Sequence, residues 1–170
     1  MPSSDQGITD DRYMLIPRVL IFLTRGDDVL LIKGAPTKRL WANKYNGIGG
    51  HVERGEDVLA AARRELLEET GLSADLSLAG TVMVDVEANI GVGLYIFTGD
   101  LSSGWTDVSA LRPSHEGTLE WLPLSALADY PLVEDVAILL QRLQSMRPSK
   151  PPFSARSFYD AAGKLQVQFS

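Results

Sequence analysis

Glu65, Glu68 and Glu69 stand at i, i+3 and i+4 within GHVERGEDVLAAARRELLEETGL, residues 50–72. In a helix that spacing gathers three carboxylates within about 100° of arc on one face. Like charges so placed repel by a few tenths of a kcal/mol per pair (~0.2–0.5). A hard divalent cation such as Mg²⁺ reverses the sign, because it takes carboxylate oxygens as ligands. The segment therefore reads as a metal platform, and platforms of this kind handle phosphates.

The elements that must position these acids can be read from periodicity. The spacing predicts a helix over 56–70, with Gly71 as its left-handed stop. Leu59, Ala62, Leu66 and Thr70 form an apolar stripe beside the acidic face, so burying the stripe leaves the acids lining a cleft. Upstream, 13–24 and 29–33 read as strands joined by a turn at 25–28, with Pro17 at an edge or bulge. A polar loop covers 34–45. The glycine-rich run 46–52 (NGIGGHV) is a strand end where backbone can approach a ligand closely. Downstream come strands at 76–86 and 94–100 around a turn at 89–91, a loop over 101–117 and a short strand at 119–122. A second helix is expected over 134–146, with Val136, Leu139, Leu140 and Leu143 inward. A stiff linker at 147–152 leads to a last hairpin, 153–159 and 165–169. The alternation is α+β, with helices packed on a mixed sheet. Residues 1–12 read as a loose tail, and 13–170 as one domain.

Composition narrows the function classes. The net charge of −6 argues against a protein that grips nucleic-acid polymers through a basic face. An acidic protein that handles phosphate needs local positive charge, which a bound metal supplies. Cysteine is absent, so disulfides, zinc–thiolate sites and cysteine nucleophiles are excluded. The start of the chain has no apolar signal segment, and no run is long and apolar enough to span a bilayer. A cytoplasmic setting is expected.

Gly50, Glu56, Arg64-Glu65-Leu66, Glu68-Glu69 and Gly71-Leu72 stand at the spacing of the Nudix box. The chain resembles Nudix hydrolases at every defining position of that motif. The resemblance implies an α/β/α sandwich in which the box forms loop–helix–loop. It also implies hydrolysis of a nucleoside diphosphate linked to another group, with Mg²⁺, or Mn²⁺ in its place, as cofactor. By position, Glu65, Glu68 and Glu69 would be metal ligands. Arg64 would hold Glu68 or Glu56 in register. Gly50 would let the backbone turn under the phosphates. Glu56 would either complement the helix dipole or support the ligands from outside.

Asn46-Gly47-Ile48-Gly49-Gly50, Glu116-Gly117, Glu120-Trp121 and the last hairpin look like the MutT branch. That likeness implies a small-molecule nucleotide substrate, a nucleoside triphosphate cleaved to monophosphate and pyrophosphate. An oxidised purine such as 8-oxo-dGTP would suit it. Glu116 would join the metal cluster or act as base, against the alternative of a solvated loop acid. The resemblance further implies that a water would attack in line and that Glu68 or Glu116 would take its proton. Asn46 would bond a purine or simply make a turn. Glu134 and Asp135 would meet the base edge or complement a helix N-terminus. His51 stands where the family often has Lys, facing phosphate or solvent. Trp41 and Tyr45 could stack on a base or only pack, and Trp121 reads as core.

Within the superfamily, ADP-ribose and dinucleoside polyphosphate hydrolases are the alternatives. The former tend to carry a Pro where this chain has Val86-Glu87-Ala88, and the latter a Tyr near Ala88–Gly91. Neither marker is present. A non-catalytic Nudix-like sensor is a further alternative, which the intact box disfavours.

Overall fold

The computed structural model describes residues 3–7, 9, 11–101, 116–147 and 150–170. Most of the loop expected over 101–117, positions 148 and 149 of the expected linker and parts of the N-terminal tail therefore lie outside the described residues.

VLIFL in the first strand and VLLI in the second are unbroken apolar runs because both faces of their sheet are covered. Along β1 (Met14–Arg25), Leu20 and Phe22 enter one core while Val19, Ile21 and Leu23 enter another. Along β2 (Asp28–Gly34), Val29 and Leu31 join the first core, and Leu30 and Ile32 the second. Helix α1 (Val58–Thr70) closes the second core with Ala61, Ala62 and Leu66. Helix α2 (Glu134–Ser145) closes the first with Val136, Leu139 and Leu140. The result is the expected α/β/α sandwich.

The sheet order is β3-β2-β1-β5-β4-β7-β8, with β6 also paired to β2. The remaining strands are β3 (Tyr45–Asn46), β4 (Ser77–Asp85), β5 (Ile90–Asp100), β6 (Gly117–Pro123), β7 (Phe153–Tyr159) and β8 (Leu165–Phe169). The central pair, β1 and β5, runs parallel from Met14↔Ile90 to Thr24↔Asp100. On its other side β1 meets β2 only at Leu23–Arg25, which leaves its earlier half open to the segment after β3. There Ile21 exchanges backbone hydrogen bonds with Ile48, and the Val19 N–H donates to the Gly50 carbonyl. Pro17 stands at the end of this short pairing, where its carbonyl accepts from Val52 and its missing N–H interrupts no long ladder.

Two expectations are corrected and one element is added. The helix starts at Val58, not at 56, because Asp57 caps it: its carboxylate accepts from the Leu59 and Ala60 N–H groups at 2.8 and 2.9 Å. Ile90 and Gly91 are strand rather than turn, since the ladder with β1 extends back to them. A 3₁₀ turn over Leu124–Asp129 follows β6, in a segment with no expected element. The last hairpin has its expected limits, and a 3₁₀ turn covers Ser3–Gln6 of the tail.

Candidate active site

Helix α1 is fixed at both ends and along one face. Asp57 caps the start. Gly71 ends it at φ 74°, with its N–H on the Leu67 carbonyl at 2.9 Å. Ala61, Ala62, Leu66 and Thr70 are buried, and Leu59 of the expected stripe is only partly so. With that face pinned, Glu65 and Glu69 turn toward the strand end at Gly49-Gly50.

Arg64 organises the outer edge. Its Nε and Nη2 donate to the two oxygens of Glu56 at 3.2 and 2.7 Å. Its Nη1 donates to Glu65 at 2.8 Å and to Glu68 at 3.2 Å. Nη2 also reaches the His51 carbonyl at 3.0 Å, which ties the helix to the glycine-rich segment. These bonds hold the guanidinium pKa well above its ordinary value, the bond to Glu56 contributing most. They hold Glu56 below the usual carboxylate range, with Arg64 the main cause and the Glu53 N–H next. Glu56 thus braces Arg64 instead of capping the helix.

Glu69 occupies a different environment. Its carboxylate accepts from the Gly49 N–H at 3.2 Å. Burial pushes its pKa up to about 7, the Gly49 bond opposes this, and the charges of Glu65 and Glu116 raise it further. Glu69 therefore lies close enough to both Glu65 and Glu116 to feel their charges, although Glu116 precedes β6, far along the chain. Glu116 is held by the ammonium of Lys38, from the loop after β2. Glu68 lies apart: its side chain is 61 % exposed and its partner is Arg64.

Glycines allow this approach. A Cβ on Gly50 would strike the Glu65 carboxylate, and one on Gly49 would strike the Val19 carbonyl. At φ 153° Gly49 also has a backbone that other residues rarely adopt.

Two cavities meet at this point. The first, with an empty volume of about 440 Å³, contains Glu69, Glu116, Lys38, Lys44, Asn46 and Gly49 in its walls. The second, about 950 Å³, is more apolar; Leu20, Val84, Leu94 and Val133 are among its lining residues. Arg18, Trp41, Asn46, Gly47 and Gly49 line both.

The remaining expected site residues fall in different places. Asn46 faces both cavities and also makes the turn, its Oδ1 accepting from the Gly47 N–H at 2.8 Å. The acidic pair divides. Asp135 lines the apolar cavity, where burial raises its pKa, whereas Glu134 accepts from the Tyr159 hydroxyl at 3.1 Å. Of the two alternatives for Tyr45, packing holds: it is buried in the first core, edge-on to Tyr130, with its hydroxyl donating to Glu120 at 2.7 Å. Burial, then the Glu120 bond, pushes its pKa up to about 12. Tyr45 has no face to offer a ligand. His51 is exposed and lines neither cavity. Trp121 is only partly buried, packing on the second core beneath the Arg25 guanidinium. Sequence reasoning missed Lys38, Lys44 and Arg18. Arg18 and Lys44 are lone cations and Lys38 stands beside Arg39 in a polar loop, with no spacing to single any of them out.

The donor set of Glu65, Glu69 and Glu116 consists wholly of carboxylate oxygens and suits a hard divalent cation. Burial first, and then the charges of Glu65 and Glu116, penalise the ionised form of Glu69, and such a cation would relieve that penalty. Among the described residues no three acidic or histidine side chains already converge in a ready ligand shell. Arg64 and Lys38 hold three of the acids instead.

Residues 14–143 match the family model described as the NUDIX domain. The chain is 35 % identical over 97 residues to the oxidized purine nucleoside triphosphate hydrolase of Mus musculus, covering 55 % of this chain and 61 % of that protein. It is 46 % identical over 56 residues to the Danio rerio protein of the same name, covering 33 % and 35 %. The matches thus span less than two thirds of these curated relatives. Among solved structures, the mutator MutT protein from Bacillus halodurans aligns with TM-score 0.70 at 21 % identity, covering 92 % of this chain and 98 % of that one. The NUDIX domain of Shewanella oneidensis NrtR, complexed with ADP ribose, aligns with TM-score 0.65 at 16 % identity, covering 85 % and 97 %. These likenesses are of fold.

Proposed function

The chain belongs to the NUDIX domain family, and from that membership we propose that it is a metal-dependent hydrolase cleaving a nucleoside triphosphate to the monophosphate and pyrophosphate. The observation that carries this reading is the junction of two unlike cavities. One gathers carboxylates from α1 and from the segment before β6, and the other is apolar with Asn46 and Asp135 at its walls. A nucleotide is amphipathic in the same way, with a polyanionic tail and a flat heterocycle. The names of the two curated relatives support a purine, oxidised or not.

Glu65, Glu69 and Glu116 would hold Mg²⁺, or Mn²⁺ in its place, with Glu68 joining from the exposed edge. Bound there, the ion supplies charge neutralisation and polarises a phosphorus centre. The chain itself does the rest. Gly49 and Gly50 bring backbone against the acids without a side chain in the way. Arg64 is a positioning residue, fixing Glu65 and Glu68 relative to His51. Glu68 or Glu116 takes the proton of the attacking water. Lys38, paired with Glu116, brings a cation beside the phosphates and offsets the acidity of the site. Asn46 offers both a donor and an acceptor toward the base.

The test is pyrophosphate release with Mg²⁺ from a panel of normal and 8-oxo nucleoside triphosphates, ADP-ribose and dinucleoside polyphosphates. The expected result is fastest turnover of a purine triphosphate. ADP-ribose outrunning every triphosphate would overturn the substrate assignment, and no turnover of any member would overturn the activity.

A further inference from the structure

Trp41 is placed in a way that neither packing nor conformational preference explains. Its φ is 59°, a left-handed backbone that a bulky residue adopts only at a cost in strain. It is 41 % exposed, so much of the largest apolar side chain gains little from burial. The surrounding loop nevertheless holds it there. Gly34 donates to the Lys44 carbonyl at 3.0 Å, Asn43 to the Gly34 carbonyl at 2.9 Å, and Lys44 to the Trp41 carbonyl at 3.0 Å. A Cβ on Gly34 would come within 2.5 Å of the Trp41 carbonyl oxygen, so this close approach requires glycine. On the other flank, Ala35 donates to the carbonyl of Glu116 at 3.1 Å, coupling the loop to the carboxylate cavity. The residue so held lines both cavities, at the point where phosphates would give way to a base.

We propose that Trp41 is a specificity-determining residue whose indole stacks on the base of the bound nucleotide. This rests on the nucleotide reading given above. Strain stored at a ligand site and an aromatic left 41 % exposed are both explained if the missing contact is the π-face of a heterocycle. Val84 and Leu94, from the adjacent strands β4 and β5, are among the residues that make the larger cavity apolar enough for a ring. Stacking tolerates any base, so this contact selects nucleotides over base-free phosphates, while polar groups such as Asn46 and Asp135 would choose among bases.

The experiment compares wild type with Trp41→Ala, Trp41→Gly and Trp41→Phe. Calorimetry with Mg²⁺ measures binding of dAMP, dGMP, 8-oxo-dGMP, dCMP and dTMP, and of 2-deoxyribose 5-phosphate as the base-free probe. The Ala and Gly variants are expected to weaken nucleotide binding by roughly 5- to 100-fold and to leave the base-free probe within about twofold, with Phe recovering most of the loss. In Trp41→Gly relief of the left-handed strain offsets the lost burial of the indole, so its Tm is expected to stay within a few degrees of wild type. Nucleotide binding unchanged in Trp41→Ala, no nucleotide binding by wild type, or an equal loss for the base-free probe would each overturn the proposal. The two readings fail separately. Binding through Trp41 without any triphosphate turnover defeats the activity alone, and turnover with unchanged affinity in Trp41→Ala defeats the stacking alone.

Discussion

Glu69→Gln should make the metal-free protein more stable at alkaline pH while abolishing hydrolysis. Burial and the neighbouring charges of Glu65 and Glu116 lift the Glu69 pKa from the ordinary 4.5 to about 7. The folded protein then binds a proton more tightly than the unfolded chain, so stability falls as pH rises from 4.5 through 7 and stays reduced above it. A shift of that size corresponds to about 3 kcal/mol. A glutamine cannot ionise, so the variant escapes this loss. Its amide oxygen still accepts from Gly49, and the opposing effect of that bond on the carboxylate is already contained in the net shift. The net expectation is a variant about 3 kcal/mol more stable than wild type at about pH 8 and about equal to it at about pH 4.5. Urea unfolding in chelator at half-unit pH steps measures this, and the difference between the two proteins cancels the titration of the histidines. Adding Mg²⁺ should stabilise wild type at about pH 8 and do much less for the variant, since binding to the folded state alone raises its stability. Parallel stability–pH curves for the two proteins would refute the reasoning, because Glu69 would then carry no excess proton affinity.

Asp135→Asn should raise Tm by a few degrees at about pH 7 and by progressively less as pH falls toward the ordinary 3.8. Burial raises the Asp135 pKa, so its charge costs stability that is fully felt only above its folded value. Arg64→Ala should cost about 2 kcal/mol in urea unfolding, below the roughly 3–5 of a fully buried pair, because its side chain is 28 % and that of Glu65 is 14 % exposed. In kinetics the same variant should lower kcat with little change in KM, and a pure KM effect would refute its positioning role. Gly49→Ala should destabilise by more than about 2 kcal/mol, since the new Cβ meets the Val19 carbonyl and the backbone is strained at φ 153°. An unchanged Tm would show that this close approach is dispensable.

Local chemistry is legible in the order of residues alone. The i, i+3, i+4 carboxylates, the Gly71 stop and the apolar stripe all lie within a few turns of one helix, where 3.6-residue periodicity sets the geometry. The β-branched and aliphatic runs mark strands, and the last hairpin follows from its turn residues. Boundaries shift where a longer-range partner decides them: β5 begins at Ile90 because β1 pairs with it there, which no local pattern reveals.

Which acids face the same cavity is a tertiary decision. Glu68 and Glu69 are neighbours in sequence, yet one is turned outward to Arg64 and the other is buried against Gly49. Glu134 and Asp135 part company in the same way, one to Tyr159 and the other to the apolar cavity. By residue type Tyr45 and Trp41 are equally able to stack, but β3 carries Tyr45 into the core and the left-handed turn leaves Trp41 at the rim. Lys38 meets Glu116 from 78 residues away. The order of residues specifies chemical type and local spacing, because those depend on bonds and helix geometry. Burial, charge pairing and pKa depend on what the sheet brings alongside, and only the folded chain supplies those neighbours.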